Sequence, residues 1–256
     1  MTFLYSLFAA FSMFSALPAP QVPWEREKIR YMLVCLPFVG ILIGVFEYLW
    51  MLLCGWLSLG TNLTAVGFAL IPVLVTGGIH LDGFIDTVDA LKSHAAPEKK
   101  RAILKDPHVG AFAIVGLGAY LLAYFGLCTE IQLTGRMILL LGGIHVMSRS
   151  LSAVSGTLLP MGPGEGTLSF FHRSADRQAG SLVIGWVAVS AIAMALVWPL
   201  VGALMTLGAV VTLLLVRRMA MKEFGGMSGD IAGFQLQMAE LVMLALLIAV
   251  ERMIAL

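Results

Sequence analysis

Three acids set at helical spacing, Asp82, Asp86 and Asp89, are the side chains in this sequence best suited to chemistry. They belong to the stretch Gly77-Gly78-Ile79-His80-Leu81-Asp82-Gly83-Phe84-Ile85-Asp86-Thr87-Val88-Asp89. On a helix, positions i, i+4 and i+7 fall within about 40° of the first, so the three carboxylates form one stripe. Like charges at that spacing repel unless a cation lies between them. Mg²⁺ suits such a stripe, because it takes oxygen ligands, keeps waters and bridges one or two carboxylates to substrate phosphates. The competing reading is a solvated helix start whose dipole favours acids.

Two further clusters carry polar chemistry. In Lys105-Asp106-Pro107-His108-Val109-Gly110, Asp106 is a candidate metal ligand or general base, and Lys105 or His108 could meet a phosphate. The same residues also read as a proline turn with basic groups at the headgroups. In Gly225-Gly226-Met227-Ser228-Gly229-Asp230, three glycines in five residues allow backbone N–H groups to approach an anion, and Asp230 adds an acid. A flexible turn is the plainer alternative.

The elements that must position these groups are membrane spans. Of 256 residues, 59% are hydrophobic and 12% charged, against about 45–50% and about 25% for a soluble domain. Apolar runs at 31–57, 63–79, 109–128, 137–158, 180–198, 200–216 and 236–254 approach or exceed the roughly 20 residues that cross a bilayer. The sequence thus predicts one all-α, polytopic helical bundle over 1–256, with about seven spans in the lipid bilayer. Pro199 is the expected turn between the fifth and sixth. Residues 1–17, stopped by Pro18 and Pro20, read as an interfacial or partly inserted helix. No basic residue precedes that apolar stretch, which argues against a cleaved signal peptide. Net charge is +1, so nothing suggests a nucleic-acid partner, and Cys35, Cys54 and Cys128 lack metal-ligand spacing.

With seven spans, thirteen Lys and Arg fall on one side and only Arg136 and Arg252 on the other, Arg149 lying within a span. The basic side is expected to be cytoplasmic. The polar loops 80–108, 159–179 and 217–235 all fall there, so chemistry is expected on the cytoplasmic face of the cell membrane. Glu47, His145, Arg149 and Glu240 lie inside spans, where charge is expensive and functional by default. Arg149 could clamp a phosphate through its two-pronged guanidinium, or pair with Glu240 or Glu47.

This ordered set of motifs resembles the cobalamin synthase family, the adenosylcobinamide-GDP ribazoletransferases. The resemblance covers nearly the whole chain. It rests on Leu17-Pro18-Ala19-Pro20, on Pro37-Phe38-Val39-Gly40, on the stretch from Gly77 to Asp89, and on Lys105 to Gly110. Ser148-Arg149, Gly164-Glu165-Gly166, and Gly225-Gly226 through Ser228-Gly229-Asp230 and Gly233 to Glu240 complete it. Ala90, Ser228, Phe234 and Gln237 depart from the family pattern. The resemblance implies a Mg²⁺-dependent condensation of adenosylcobinamide-GDP with α-ribazole or its 5′-phosphate, releasing GMP. Asp82, Asp86 and Asp89 would be the metal ligands, Asp89 or Asp106 the base, and Arg149 the clamp on the leaving phosphate. His80, Lys105, His108, Gly225, Gly226, Ser228 and Asp230 would face the substrates, and a homo-oligomer is compatible with the pattern. Two alternatives share features: a CDP-alcohol phosphotransferase making a lipid, and a secondary transporter leaning on the intramembrane charges.

Overall fold

The computed structural model describes residues 2–164 and 166–255, and among them only helices and their connections are present. Inside hydrocarbon every backbone N–H and C=O must be paired within its own segment, so apolar runs of this length become helices. In chain order they are α1 (Thr2–Phe14), α2 (Arg26–Ile29), α3 (Met32–Leu57), α4 (Thr61–Thr76), α5 (Ile79–Lys92), α6 (Pro97–Ile103), α7 (Ala111–Thr129), α8 (Gly135–Leu158), α9 (Thr167–Ser174), α10 (Arg177–Val197), α11 (Pro199–Glu223) and α12 (Gly229–Ala255). Six are long and apolar enough to cross a bilayer, and the pair α4–α5, bent by 95°, allows a seventh span. The expected break between α10 and α11 falls at Trp198, whose backbone is extended. Helix α1 has 13 residues, or about 20 Å at helical rise, too short to cross. It packs along α3, and Ser6 Oγ donates to the Lys28 carbonyl at 2.8 Å.

α8 and α12 are the most buried spans, and α7 and α10 the most exposed, as lipid-facing helices would be. Glycines set the closest approaches. On α3, Gly40 and Gly44 lie against α8; a Cβ on Gly44 would stand 2.9 Å from the Gly142 Cα. Small residues four apart let two membrane helices close in this way. Helices α5 and α12 cross equally tightly: a Cβ on Gly83 would be 2.8 Å from the Asp230 Cα, and one on Gly233 2.9 Å from the His80 carbonyl oxygen. The bend leading into α5 is made by Gly77 and Gly78, at φ +63° and +80°, a region that side chains disfavour.

The apolar pattern predicts a last span starting at 236 and a polar loop over 217–235. The structure corrects this. α11 continues to Glu223 and α12 begins at Gly229, so the connection shrinks to 224–228. Charge ended the apolar run at Arg217, but Arg, Met, Ala, Lys and Glu are good helix formers and the helix outlasts the membrane-like stretch. Asp230 consequently sits in the first turn of α12.

Candidate active site at the junction of two cavities

The glycine loop is shaped by its backbone. Gly225 and Gly226 have φ of +80° and +149°, and a Cβ on Gly226 would overlap the Met161 backbone. That contact belongs to an isolated parallel bridge in which the Gly162 N–H donates to the Met227 carbonyl and the Met227 N–H to the Pro160 carbonyl, both at 2.9 Å. The loop after α8 is therefore tied to the loop before α12. Ser228 then caps α12, its Oγ accepting the Ile231 N–H at 3.3 Å. A threonine there would keep the same acceptor.

These loops wall a cavity of about 340 Å³. Arg101 and Lys105 reach it from α6 and the turn after it, Gly162, Pro163 and Gly164 from the loop after α8, Thr167 and Ser169 from α9, and Gly226 to Asp230 from the glycine loop. Arg101 also donates through Nη1 to the Phe224 carbonyl at 3.2 Å, which holds α6 to that loop. Two cations, three hydroxyls and glycine backbone around one space make a suitable bed for phosphate oxygens. Three loops that the sequence placed on one side of the membrane thus meet.

A second cavity, about 230 Å³, adjoins the first. Thr167, Leu168, Gly229 and Asp230 line both. Asp82 enters only the second, beside Gly83 and Gly233 at the crossing of α5 and α12. The acid stripe forms as expected on α5, with Asp82 exposed and Asp86 and Asp89 half-buried. Burial pushes the Asp86 carboxyl up to about 6, with Asp82, Asp230 and Asp89 adding repulsion. Among the described residues none of these four acids has a cationic partner. Nor do three acids, imidazoles or thiols there converge tightly enough to hold a metal by themselves. Carboxylates that repel one another yet supply too few ligands fit Mg²⁺, which completes its shell with waters and substrate phosphates.

Other candidates stand elsewhere. The Asp89 carboxylate lies against Gly110, where any Cβ would overlap it, at the N-terminus of α7, a position that stabilises negative charge. Asp106 accepts from the His108 N–H at 2.9 Å and pairs with its ring at 2.7 Å. Those bonds hold its carboxyl below the usual range, which weakens it as a base. Neither Asp89, Asp106 nor His108 lines either cavity, whereas Lys105 does. His80 is buried under Phe14, ring centroids 5.9 Å apart. Arg149, expected as a phosphate clamp, is engaged in an ion pair instead. Its Nη1 donates to Glu240 Oε1 at 2.6 Å and to the His145 carbonyl at 3.1 Å, with the side chain 1% exposed. His145 in turn places its ring nitrogens 3.0 Å from Glu240 Oε1 and 2.9 Å from Glu47 Oε1. This four-residue cluster joins α3, α8 and α12. Arg149 lines neither cavity, because a guanidinium inside the bundle is satisfied first by the nearest buried carboxylate.

Residues from four of the motifs that carry the family resemblance, the Gly77–Asp89 stretch, Lys105, Gly164 with Gly166 and the glycine loop, meet around these cavities, and comparison with known proteins decides it. The description of the family "Cobalamin-5-phosphate synthase" matches residues 6–248. The chain belongs to the cobalamin-5-phosphate synthase family. An adenosylcobinamide-GDP ribazoletransferase of Lachnoclostridium phytofermentans is 35% identical over 94% of this chain and 92% of its own. Proteins of the same name from Clostridium botulinum and Listeria monocytogenes are 30% and 27% identical, over 92% and 95% of this chain and 94% and 97% of theirs. No solved structure matches the chain.

In this chain the departures from the family pattern fall outside both cavities, apart from Ser228. Phe234 stacks on Phe84 of α5 at 5.5 Å, and Gln237 Oε1 accepts the Tyr120 hydroxyl of α7, so both serve helix packing. Of Gly164-Glu165-Gly166, both glycines line the first cavity, and Glu165 lies outside the described residues. Sequence reasoning missed Arg101, Thr167, Ser169 and the apolar wall of the second cavity. Arg101 was only one of many basic loop residues. Thr167 and Ser169 follow directly on the Gly164–Gly166 motif, and that adjacency was the available signal.

Proposed function

We propose that this chain condenses adenosylcobinamide-GDP with α-ribazole, or its 5′-phosphate, and releases GMP. The ribose 3′-hydroxyl attacks the phosphorus bound to the cobinamide side chain. A new oxygen–phosphorus bond forms, the pyrophosphate bond breaks, GMP leaves with the electron pair, and the hydroxyl proton passes to a carboxylate. One observation carries this reading: Asp230 lies in the wall shared by two adjoining cavities, one basic and glycine-lined, the other largely apolar with Asp82 in its wall. A two-substrate phosphoryl transfer needs such a junction, with the acceptor hydroxyl on one side and the phosphates on the other.

In this reading Lys105, Arg101 and the N–H groups of the glycine loop bind the GDP portion. Asp230 is placed to accept the hydroxyl proton. Asp82 and Asp86 would hold Mg²⁺, which when bound neutralises charge on the phosphate oxygens. Asp89 supports α7, and Arg149 holds the bundle beneath the site. The distribution of basic residues supports a cytoplasmic orientation in the cell membrane.

The test is purified protein with adenosylcobinamide-GDP, α-ribazole and Mg²⁺, with no ion gradient. GMP and the joined corrinoid should appear in equal amounts. A protein that forms product only with a lipid alcohol and a CDP-linked donor, or that moves solute without releasing GMP, is not this enzyme.

A further inference from the structure

We infer that the second cavity is the seat of the planar aromatic base of ribazole, a ribose N-linked to a benzimidazole, and that its walls set which bases are accepted. The inference rests on the proposed reaction and goes on to divide the two substrates between the two cavities. The wall is built from Phe14 of α1, Leu33 and Leu36 of α3, and Leu168 and Phe171 of α9. Its two aromatic rings, Phe14 and Phe171, meet edge-on at 6.5 Å and are backed from outside the cavity by His80, parallel to Phe14 at 5.9 Å, and Trp24, stacked on Phe171 at 6.1 Å. A flat π-system packs well against such faces and edges.

Size and polarity separate the possible occupants. At about 230 Å³ the space suits a bicyclic aromatic and excludes a corrin macrocycle. Guanine presents donors and acceptors along most of its edge, and burying them without partners is unfavourable. The polar side chains in this wall are few, Asp82, Ser152, Thr167 and Asp230. A benzimidazole bonded to ribose through one nitrogen keeps a single free ring nitrogen, so it asks little of an apolar wall. His80 is 5% exposed with an Nδ1 that has no partner, a spare polar atom behind Phe14. Because Asp230 and Thr167 belong to both cavities, a base seated here carries its ribose to the junction.

The experiment is steady-state kinetics in which each substrate is varied in turn, with wild type, Leu36→Phe and Phe171→Leu. Bulk added at Leu36 should raise KM for ribazole about tenfold or more, the scale on which apolar pockets sense one or two carbons. KM for adenosylcobinamide-GDP should stay within about twofold. Leu36→Phe should also shift preference toward an unsubstituted benzimidazole riboside over one whose benzimidazole ring carries added methyl groups. Phe171→Leu supplies a second reading should Leu36→Phe not fold. An unchanged ribazole KM in both variants, or both KM values moving together, overturns the base seat. So does a change in lipid or detergent dependence alone, which would mark the cavity as an acyl-chain site. A wild type that makes no joined corrinoid defeats the proposed reaction itself, so the two failures are distinguishable.

Discussion

Arg149 and Asp230 are both charged side chains in long helices, and their surroundings give them opposite roles. Arg149 is held by Glu240, which also meets His145 and Ser148. Removing one member strands a buried charge, so Arg149→Met and Glu240→Gln should each lower stability by roughly 3–5 kcal/mol. The double variant should recover part of that loss, since His145 keeps Glu47; thermal unfolding in detergent is the measurement. A fully stable Arg149→Met with weakened binding of the GDP-linked substrate would restore the clamp. Asp230 has no such partner and faces the cavities. Asp86 differs again, because its surroundings disfavour its charge. Its carboxyl moves from 3.8 to about 6, so the penalty is absent below pH 3.8, grows between the two values and is complete above about 6. Asp86→Asn should therefore raise the unfolding temperature at pH 8 in the absence of divalent cations, and the gain should vanish near pH 4. Added Mg²⁺ should stabilise wild type more than the variant, while turnover of the variant is largely lost. An equal Mg²⁺ effect on both proteins would remove Asp86 from the ligand set.

Among the elements, the crossing of α5 and α12 matters most, since it sets Asp82 beside Asp230. Gly83 and Gly233 permit it, and Gly83→Ala would press a methyl group into the Asp230 backbone. Overpacking of this kind costs about 1–3 kcal/mol, and turnover should fall further than stability because the helices part at the site. Comparing unfolding temperature with kcat in Gly83→Ala checks this; normal turnover would mean the crossing does not set the geometry. Ser228→Ala should lose about 1 kcal/mol as a missing cap, and Ser228→Thr nearly none. Much at this scale was legible in the sequence. Helical spacing announced the stripe on α5, and Pro199 announced the break between α10 and α11. What escaped depended on partners far away in the chain. Nothing near Gly110 reveals that it must make room for Asp89, and nothing near Glu240 says that it takes Arg149 rather than leaving it free. The start of α12 was placed late because hydropathy reports the membrane-like stretch, whereas the helix begins at its Ser228 cap.

Across the whole molecule the two ends are unlike. One end gathers α5, α6, α9 and the glycine loop around the cavities. At the other, Arg252 pairs with Glu130 at 2.6 Å, Gln132 donates to Glu251 at 2.7 Å, and Arg136 lies over the Trp198 ring at 5.0 Å. The only two basic residues counted on that side from sequence are thus both engaged in closing it. The proposed orientation predicts that Ala96→Cys, at an exposed position between α5 and α6, is labelled by an impermeant thiol reagent only after cells are opened. The native Cys35, Cys54 and Cys128 are buried and should give little background. Labelling of intact cells would reverse the orientation. The proposed reaction has the acids around the junction support metal-assisted transfer at the phosphorus next to cobinamide. It is tested most directly by replacing a non-bridging oxygen on that phosphorus with sulfur and measuring joined corrinoid in Mg²⁺ and in a softer cation such as Mn²⁺ or Cd²⁺. One thio-isomer should turn over slowly in Mg²⁺ and be substantially restored by the softer ion, with no restoration in Asp82→Asn. Equal turnover of oxygen and sulfur substrates whatever the cation, or full activity in a chelator, would contradict it.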